Sequence, residues 1–408
     1  MCRHDDPMLT QRVAEVLPAL TALRRDLHRH PELMYREERT SSVIRRELDA
    51  LDLPYVAGLA GGTGVVAHLP ATEDVALDDD GATEVVALRA DMDALPIPEA
   101  TGAAWSSTNP GVMHACGHDG HTAILLGAAR VLSELPHRPR PVTFVFQPAE
   151  EGAGGGERMV ADGALAGAAG GGLGPAVSRI YALHGWPSIP VGQVATRPGP
   201  LMGAAQLFEI LIRGEGGHAA IPHRTRDPLL AAAQVVTALQ SVVARNIDPL
   251  DAGVLTVGSF QAGVAHNVIP DQALLRGTIR ALDDGVHADL HRRVEQVAVG
   301  VAQGLGCRAE VSWQPAIPVT SNDPALAERL LQLARAELGE ERAHVLERPT
   351  MTAEDFAFYG DQVPACMFFL GLDPPNGASP KLHQPDFDFN DDALGPGVAL
   401  MVRLALCG

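Results

Sequence analysis

"HTAILLGAARVLSEL" at residues 121–135, followed by "PVTFVFQPAEE" at 141–151, decides the fold. The first stretch is long, apolar and free of proline, and reads as a helix. The second is a β-rich run closed by a proline, and reads as a strand. Upstream, "GVVAHLP" (64–70) and "EVVALRADMD" (84–93) are two more β-rich runs; downstream, "RIYALHGWP" (179–187) is another. Strands alternating with helices indicate an α/β domain whose mostly parallel, mixed sheet is flanked by helices. The acidic stretch 71–84 between the first two runs is expected to form a solvated hairpin loop. From about residue 8 to 50 the chain reads as two helices broken at "HRHPEL" (28–33), the second with Ser and Thr available as caps. Within "GAGGGERMVADGALAGAAGGGLGPAV" (152–177), a short helix is expected around Met159–Leu165, and a flexible loop over 166–176.

From about residue 200 the pattern changes. "QLFEILIRG", "GVLTVGSFQAG", "QALLRGTIRAL" and "CRAEVSWQPAI" are strands; "DPLLAAAQVVTALQSVVAR" and "ADLHRRVEQVAVGVAQGLG" are helices. Their order, β-α-β-β-α-β, predicts an inserted ferredoxin-like α+β domain over 199–312, with a discontinuous catalytic domain over 1–198 and 313–408. A chain of 408 residues is long enough for two cores.

Lys and Arg number 31 against 50 Asp and Glu, a formal net charge of -19. That field repels phosphate backbones and anionic lipid, so neither nucleic acid nor a membrane is expected as a partner. The charged N-terminal segment lacks the apolar core of a secretory signal, and no run approaches the ~20 apolar residues of a membrane span. A soluble, cytoplasmic protein is expected. Five widely spaced cysteines (Cys2, Cys116, Cys307, Cys366, Cys407) argue against a disulfide framework. Four read as small hydrophobes or terminal residues, and Cys116 stands apart because of its neighbours.

Those neighbours are "MHACGHDGH", residues 113–121. The glycines at 117 and 120 favour an extended or loop backbone, on which Cys116 and His118 face the same way. Asp119 is placed to cap the following helix. A thiolate and an imidazole aimed into one space suit Zn²⁺, Co²⁺ or Mn²⁺, whereas a buried cysteine beside surface histidines is the plain alternative. "QPAEEG" (147–152) supplies two carboxylates at a strand end; both reach one site only if the backbone turns, which Gly152 and the glycines at 154–156 permit. One Glu would then bind metal and the other act as general base. His184 and His383 stand near strand ends in "ALHGWP" and "KLHQPDFDF". In "ALRADMDALP", Asp93 reads as the carboxylate that orients a metal-bound histidine. Asp91 reads as a further support or as loop structure.

Together these segments resemble the dinuclear metallo-amidohydrolases related to aminoacylase, hippurate hydrolase and the plant auxin-conjugate hydrolases. The resemblance runs from "LRRDLHRHPELMYRE" through the stretches above to "GEGGHAAIPH", "HNVIPD", "GTIR", "MTAEDFAFY" and "LHQPDFDF", nearly the whole chain. It implies a catalytic domain holding two divalent ions (Zn, Mn, Co or Ni) and a lid domain that also dimerises, giving a homodimer or higher homo-oligomer. By position it implies Cys116, His118, Glu151, His184 and His383 as metal ligands, with Cys116 bridging, Glu150 as base and Asp93 as the orienting aspartate. His218 would contact the substrate carbonyl, from its own or the opposing subunit. Asn267 and Arg280 would hold the substrate carboxylate, with Arg276 competing for the second role.

The chemistry implied is hydrolysis of a small N-acyl amino acid to a carboxylic acid and a free amino acid. An N-acetyl-diaminopimelate deacetylase and a small-peptide carboxypeptidase or dipeptidase fit the same residues. A cysteine hydrolase using Cys116 with His118 or His121 would leave the two glutamates and the remote histidines idle. A structural zinc protein would favour more cysteines and no spare carboxylate.

Overall fold

The computed structural model describes residues 7–72, 83–152 and 154–408. Most of the acidic stretch expected as a hairpin loop lies outside the described residues. The chain divides into two compact units. One comprises Met1–Leu201, Ser321–Arg348 and Asp355–Gly408; the other comprises Met202–Thr320 and Pro349–Glu354, so that relative to the expected 199–312 it gains residues 313–320 and 349–354 and yields 199–201.

The first unit opens with helices α1 (Pro7–Arg29) and α2 (Glu38–Asp49). The cap of α2 is not a Ser or Thr: Glu32 reaches forward to accept the backbone N–H groups of Arg39 and Thr40. Five strands follow as β1 (Tyr55–Leu59), β2 (Gly64–Leu69), β3 (Val86–Asp91), β4 (Val142–Gln147) and β5 (Arg179–Pro190), with helix α3 (His118–Glu134) between β3 and β4. The eight-stranded sheet runs β1-β2-β4-β3-β5 and continues with strands Ala365–Asp373, Val194–Thr196 and Ala343–Val345. β3 is parallel to β4 and β5, and Ala365–Asp373 is parallel to β5, whereas β2 runs antiparallel to both neighbours. The α/β expectation holds, with one correction. β2 and β3 are not a hairpin, because β4 inserts between them and takes the hydrogen bonds of both.

All residues of β2, β3 and β4 are buried, as is nearly all of α3. Strands covered on both faces need the near-continuous apolar runs that the sequence shows. Cys366 is buried in this core. Cys407 is also buried there, but it is disulfide-bonded rather than the plain terminal thiol expected.

The second unit is built on a four-stranded antiparallel sheet in the order Gly253–Ala262, Gln272–Ala281, Ala204–Arg213, Arg308–Trp313, with connections as expected for the ferredoxin-like unit. Helices Pro228–Asn246 and Asp284–Gly304 supply the apolar cover, through residues such as Ala231, Val235, Leu290 and Val294. By length and composition, Pro228–Asn246 could cross a membrane, contrary to the reading that no run comes close. Here its apolar side packs on the sheet of its own unit.

The core of the first unit makes a direct prediction. Phe144→Ala, at a fully buried position of β4, should lower the unfolding free energy by about 3–5 kcal/mol. Leu250→Ala, at a site that is 95% exposed, should stay within about 0.5 kcal/mol. Urea denaturation of both variants checks the contrast.

Candidate active site

The carboxyl edge of the parallel strands is where an α/β sheet places its chemistry. β3 ends on Asp91 and β4 on Gln147. His184 lies inside β5 rather than at its end, a correction to the sequence reading. Arg89 pairs with Ala182, so Asp91 stands level with His184, and β5 continues beyond β3. α3 starts at His118, behind a left-handed Gly117 with φ 88°, a conformation that glycine adopts without steric cost. Asp119 therefore sits in the first turn instead of capping the helix.

Five side chains of the first unit converge here. Cys116 Sγ lies 3.4 Å from His184 Nε2 and 3.3 Å from His383 Nε2. Glu151 Oε1 is 3.3 Å from His383 Nε2 and 4.0 Å from His118 Nε2. The donor atoms form two groups, Cys116–His118–His184 and Cys116–Glu151–His383, that share the sulfur. Glu150 joins Glu151 and His118 in a further group. His184 donates from Nδ1 to the carbonyl of Gly185 at 2.8 Å. A carbonyl can only accept, so Nε2 presents its lone pair to the site.

Both glutamates reach this space because the chain turns at Ala149, which has a left-handed φ of 56°. The sequence reading credited the turn to the glycines that follow. Asp93 accepts the backbone N–H of Glu150 at 3.0 Å and of Glu151 at 3.1 Å, and stands 3.3 Å from His118 Nδ1. Glu37 accepts the N–H of Ala149 at 3.0 Å. A left-handed alanine costs about 1–2 kcal/mol, and the three bonds to the N–H groups of residues 149–151, at about 0.5–1.5 kcal/mol net each, offset it. The carboxylates win, and the turn is held. The glycine run serves close approach: helix Gly155–Ala161 begins within it, earlier than expected, and a Cβ on Gly155 would overlap the Pro148 carbonyl.

The electrostatics show what the cluster lacks. Burial, with the charges of Glu151, Glu150 and Asp91, pushes the Cys116 thiol well above its usual range. Burial opposes a charge on His118, but Asp91, Asp93 and Glu151 outweigh it and raise its pKa to about 10. Neither ring nitrogen of His118 has a well-aligned hydrogen bond, although both are buried. Such a set of one sulfur, three imidazoles and a carboxylate, packed at these separations, fits borderline divalent cations.

Several supports escaped the sequence reading. His121 spends both ring nitrogens, one on Asp91 Oδ1 at 2.6 Å and one on the Gly185 N–H at 2.7 Å. It is thus removed as a base for Cys116. Arg89, fully buried, joins Asp91 Oδ2 at 2.7 Å to Gln147 and to Asp355. Arg24 binds Asp119, Asp388 and Asp391, tying the start of α3 to the segment after His383. The signal for Arg24 lay in the density of charge in "LRRDLHRHPELMYRE" and that for Asp355 in "AEDF", which surface exposure would explain equally well, while Arg89 and His121 sit within the stretches already singled out.

His218, Asn267 and Arg280 belong to the second unit. His218 pairs with Val268 in a small antiparallel ribbon, and beside it the Ala219 N–H donates to the Asn267 carbonyl at 3.1 Å. Arg280 is half-buried, which lowers its pKa, and donates to the Met351 carbonyl at 2.9 Å. Arg276 is engaged by Glu209 at 2.6 Å on the exposed surface.

The family model described as peptidase family M20/M25/M40 matches residues 87–406. The chain is 38% identical over 393 residues to the N-acetylcysteine deacetylase of Bacillus subtilis, covering 95% of this chain and 96% of that one. It is 38% identical over 397 residues to the IAA-amino acid hydrolase ILR1-like 2 of Arabidopsis thaliana, covering 96% and 85%. Among solved structures, the YXEP protein of Bacillus subtilis, described as a dinuclear metal binding peptidase of the M20 family, matches with a TM-score of 0.79. Its identity is 34%, over 96% of this chain and 98% of that one.

One consequence concerns pH. Burial would strip the proton from His28, but the charge and hydrogen bond of Asp119, with the bond to Glu99, raise its pKa to about 10. A raised histidine pKa contributes stability that is fully present below the unfolded value of about 6.5 and fades as pH rises through the folded one. The melting temperature of His28→Gln should therefore fall furthest below wild type at or below pH 6.5 and approach it towards pH 10. Thermal denaturation across that range is the measurement.

Proposed function

The chain belongs to peptidase family M20/M25/M40, and from that premise we propose that it is a metal-dependent amidohydrolase of N-acyl amino acids. The observation that carries this reading is the single sulfur of Cys116 shared by two donor groups, with Glu150 beside the ligand Glu151. Cys116, His118 and His184 would hold one divalent cation, and Cys116, Glu151 and His383 the other. When bound, such a pair supplies Lewis acidity towards an amide carbonyl and makes a water acidic near neutral pH. Loading must displace the protons that the bare cluster holds on Cys116 and His118, so binding should release protons.

The chain's own residues supply the rest. Glu150 takes the proton of the attacking water as the C–O bond forms, and returns it to the departing nitrogen as the C–N bond then breaks. Asp93 holds the backbone of Glu150 and Glu151 and orients His118. His184 keeps its lone pair directed inward through its bond to Gly185. In the second unit, His218 would stabilise charge developing on the carbonyl oxygen. Asn267 and Arg280 would select a carboxylate beside the scissile amide, for which the guanidinium fork is suited. Arg276, already paired with Glu209, is the weaker candidate. The products are a carboxylic acid and an amino acid.

The similarity to an N-acetylcysteine deacetylase and to an IAA-amino acid hydrolase supports acylated amino acids as the substrate class. A panel of acetyl, benzoyl and indole-acetyl amino acids, assayed on the metal-reconstituted protein, tests it. Turnover of none of these, or turnover undiminished after chelation, would reject the proposal. Glu150→Gln should retain its metal and lose at least about a hundredfold in kcat, the lower range for a general base. Cys116→Ala should bind less than the full complement of metal by elemental analysis, since both groups lose a donor. Full loading of that variant would remove the sulfur from the ligand set.

A further inference from the structure

The turn that carries Glu150 and Glu151 rests on a residue to which the proposed chemistry gives no part. Glu37 is fully buried beneath it. We infer that Glu37 is a positioning residue for the general base, holding Ala149 left-handed and so setting the direction in which Glu150 enters the site. The inference rests on the reading of Glu150 as the base.

A strand continued straight from β4 would point Glu150 and Glu151 to opposite faces. The left-handed backbone at Ala149 interrupts that alternation. Alanine disfavours this conformation, so something outside the turn must hold it. Glu37 Oε1 accepts the Ala149 N–H at 3.0 Å and the Tyr35 N–H at 3.0 Å, while Oε2 accepts the Thr63 hydroxyl at 2.8 Å. The carboxylate is thereby fixed from three sides. With Asp93 on the next two amides, three consecutive backbone N–H groups, 149 to 151, each end on a buried carboxylate.

The placement of Glu37 has no explanation in its own helix. It occupies the position before α2 yet makes no side-chain cap, a task that Glu32 performs. Burial, with the charge of Asp93 nearby, raises its pKa to about 7, so an ionised Glu37 here is unfavourable for folding alone.

The test compares Glu37→Ala, Ala149→Gly and the double variant, each loaded with metal. Displacing a catalytic group by about 1 Å can cost on the order of a hundredfold in rate. E37A should therefore lose about that much in kcat, with KM changed by less than about threefold, the pattern of an interaction made in the transition state. Glycine adopts the left-handed backbone without steric cost, so adding A149G to E37A should recover at least about tenfold of the loss. Titration of the apo proteins with Co²⁺, followed by absorption, is a second readout. Glu151 shares the turn, so E37A should weaken one of two binding phases and A149G should restore it. If the wild type hydrolyses no N-acyl amino acid, the proposed function fails while the cobalt titration still judges Glu37. Wild-type kcat and cobalt binding in E37A, or a loss that A149G does not relieve, overturns the inference. Should E37A not fold, Glu37→Gln retains the Oε1 acceptor and should stay near wild type. Adding Thr63→Val, which removes the hydroxyl that orients the amide, should then lower kcat again; no change would overturn the inference.

Discussion

Asp93 occupies the junction on which the site depends. From just beyond the end of β3, its two oxygens take the amides of Glu150 and Glu151, which follow β4, and one of them faces His118, the first residue of α3. Three elements that meet at the carboxyl edge of the sheet are registered through one buried carboxylate. Because strands and helices are stiff and the core behind them is filled, that junction carries the accuracy of the scaffold into the side chains of the site.

Around it lies a layer of buried charge that is arranged rather than merely tolerated. Arg89 bridges Asp91 and Asp355 with no exposure of any of the three side chains. Arg24 bridges Asp119 to Asp388 and Asp391, and His28 bridges Asp119 to Glu99. Taking ions out of water costs several kcal/mol each, and pairing them usually does no more than offset it. Their value lies in geometry, since each cation joins segments distant in sequence: Asp119 adjoins His118, and Asp388 follows His383 by five residues. The innermost cluster differs. There the excess of anionic and neutral donors leaves protons on Cys116 and His118, and a pair of dications is the proposed replacement.

Much of this was legible in the chain. The alternating strands and helices, the β-α-β-β-α-β order and the stretches holding Cys116, His118, Glu150, Glu151, His184 and His383 could all be read from local pattern. What escaped had no local mark. β1 is a short edge strand containing Gly58, which propensity alone does not favour. The insertion of β4 between β2 and β3 is a choice among sheet partners, made by packing. The left-handed Ala149 is invisible because alanine prefers other conformations. Glu37, Arg89 and Arg24 read as ordinary surface charge until the structure buries them.

The sequence by itself determined which side chains are available for chemistry and which segments form helices and strands, because hydrophobic period and motif spacing are local quantities. Only the tertiary structure decided that one sulfur serves two donor groups, that the two adjacent glutamates enter the same space, and that His121 is spent on Asp91 and Gly185. Those outcomes depend on hydrogen bonds and ion pairs between segments tens to hundreds of residues apart. Their strength comes from burial, which no single stretch of chain can impose on itself.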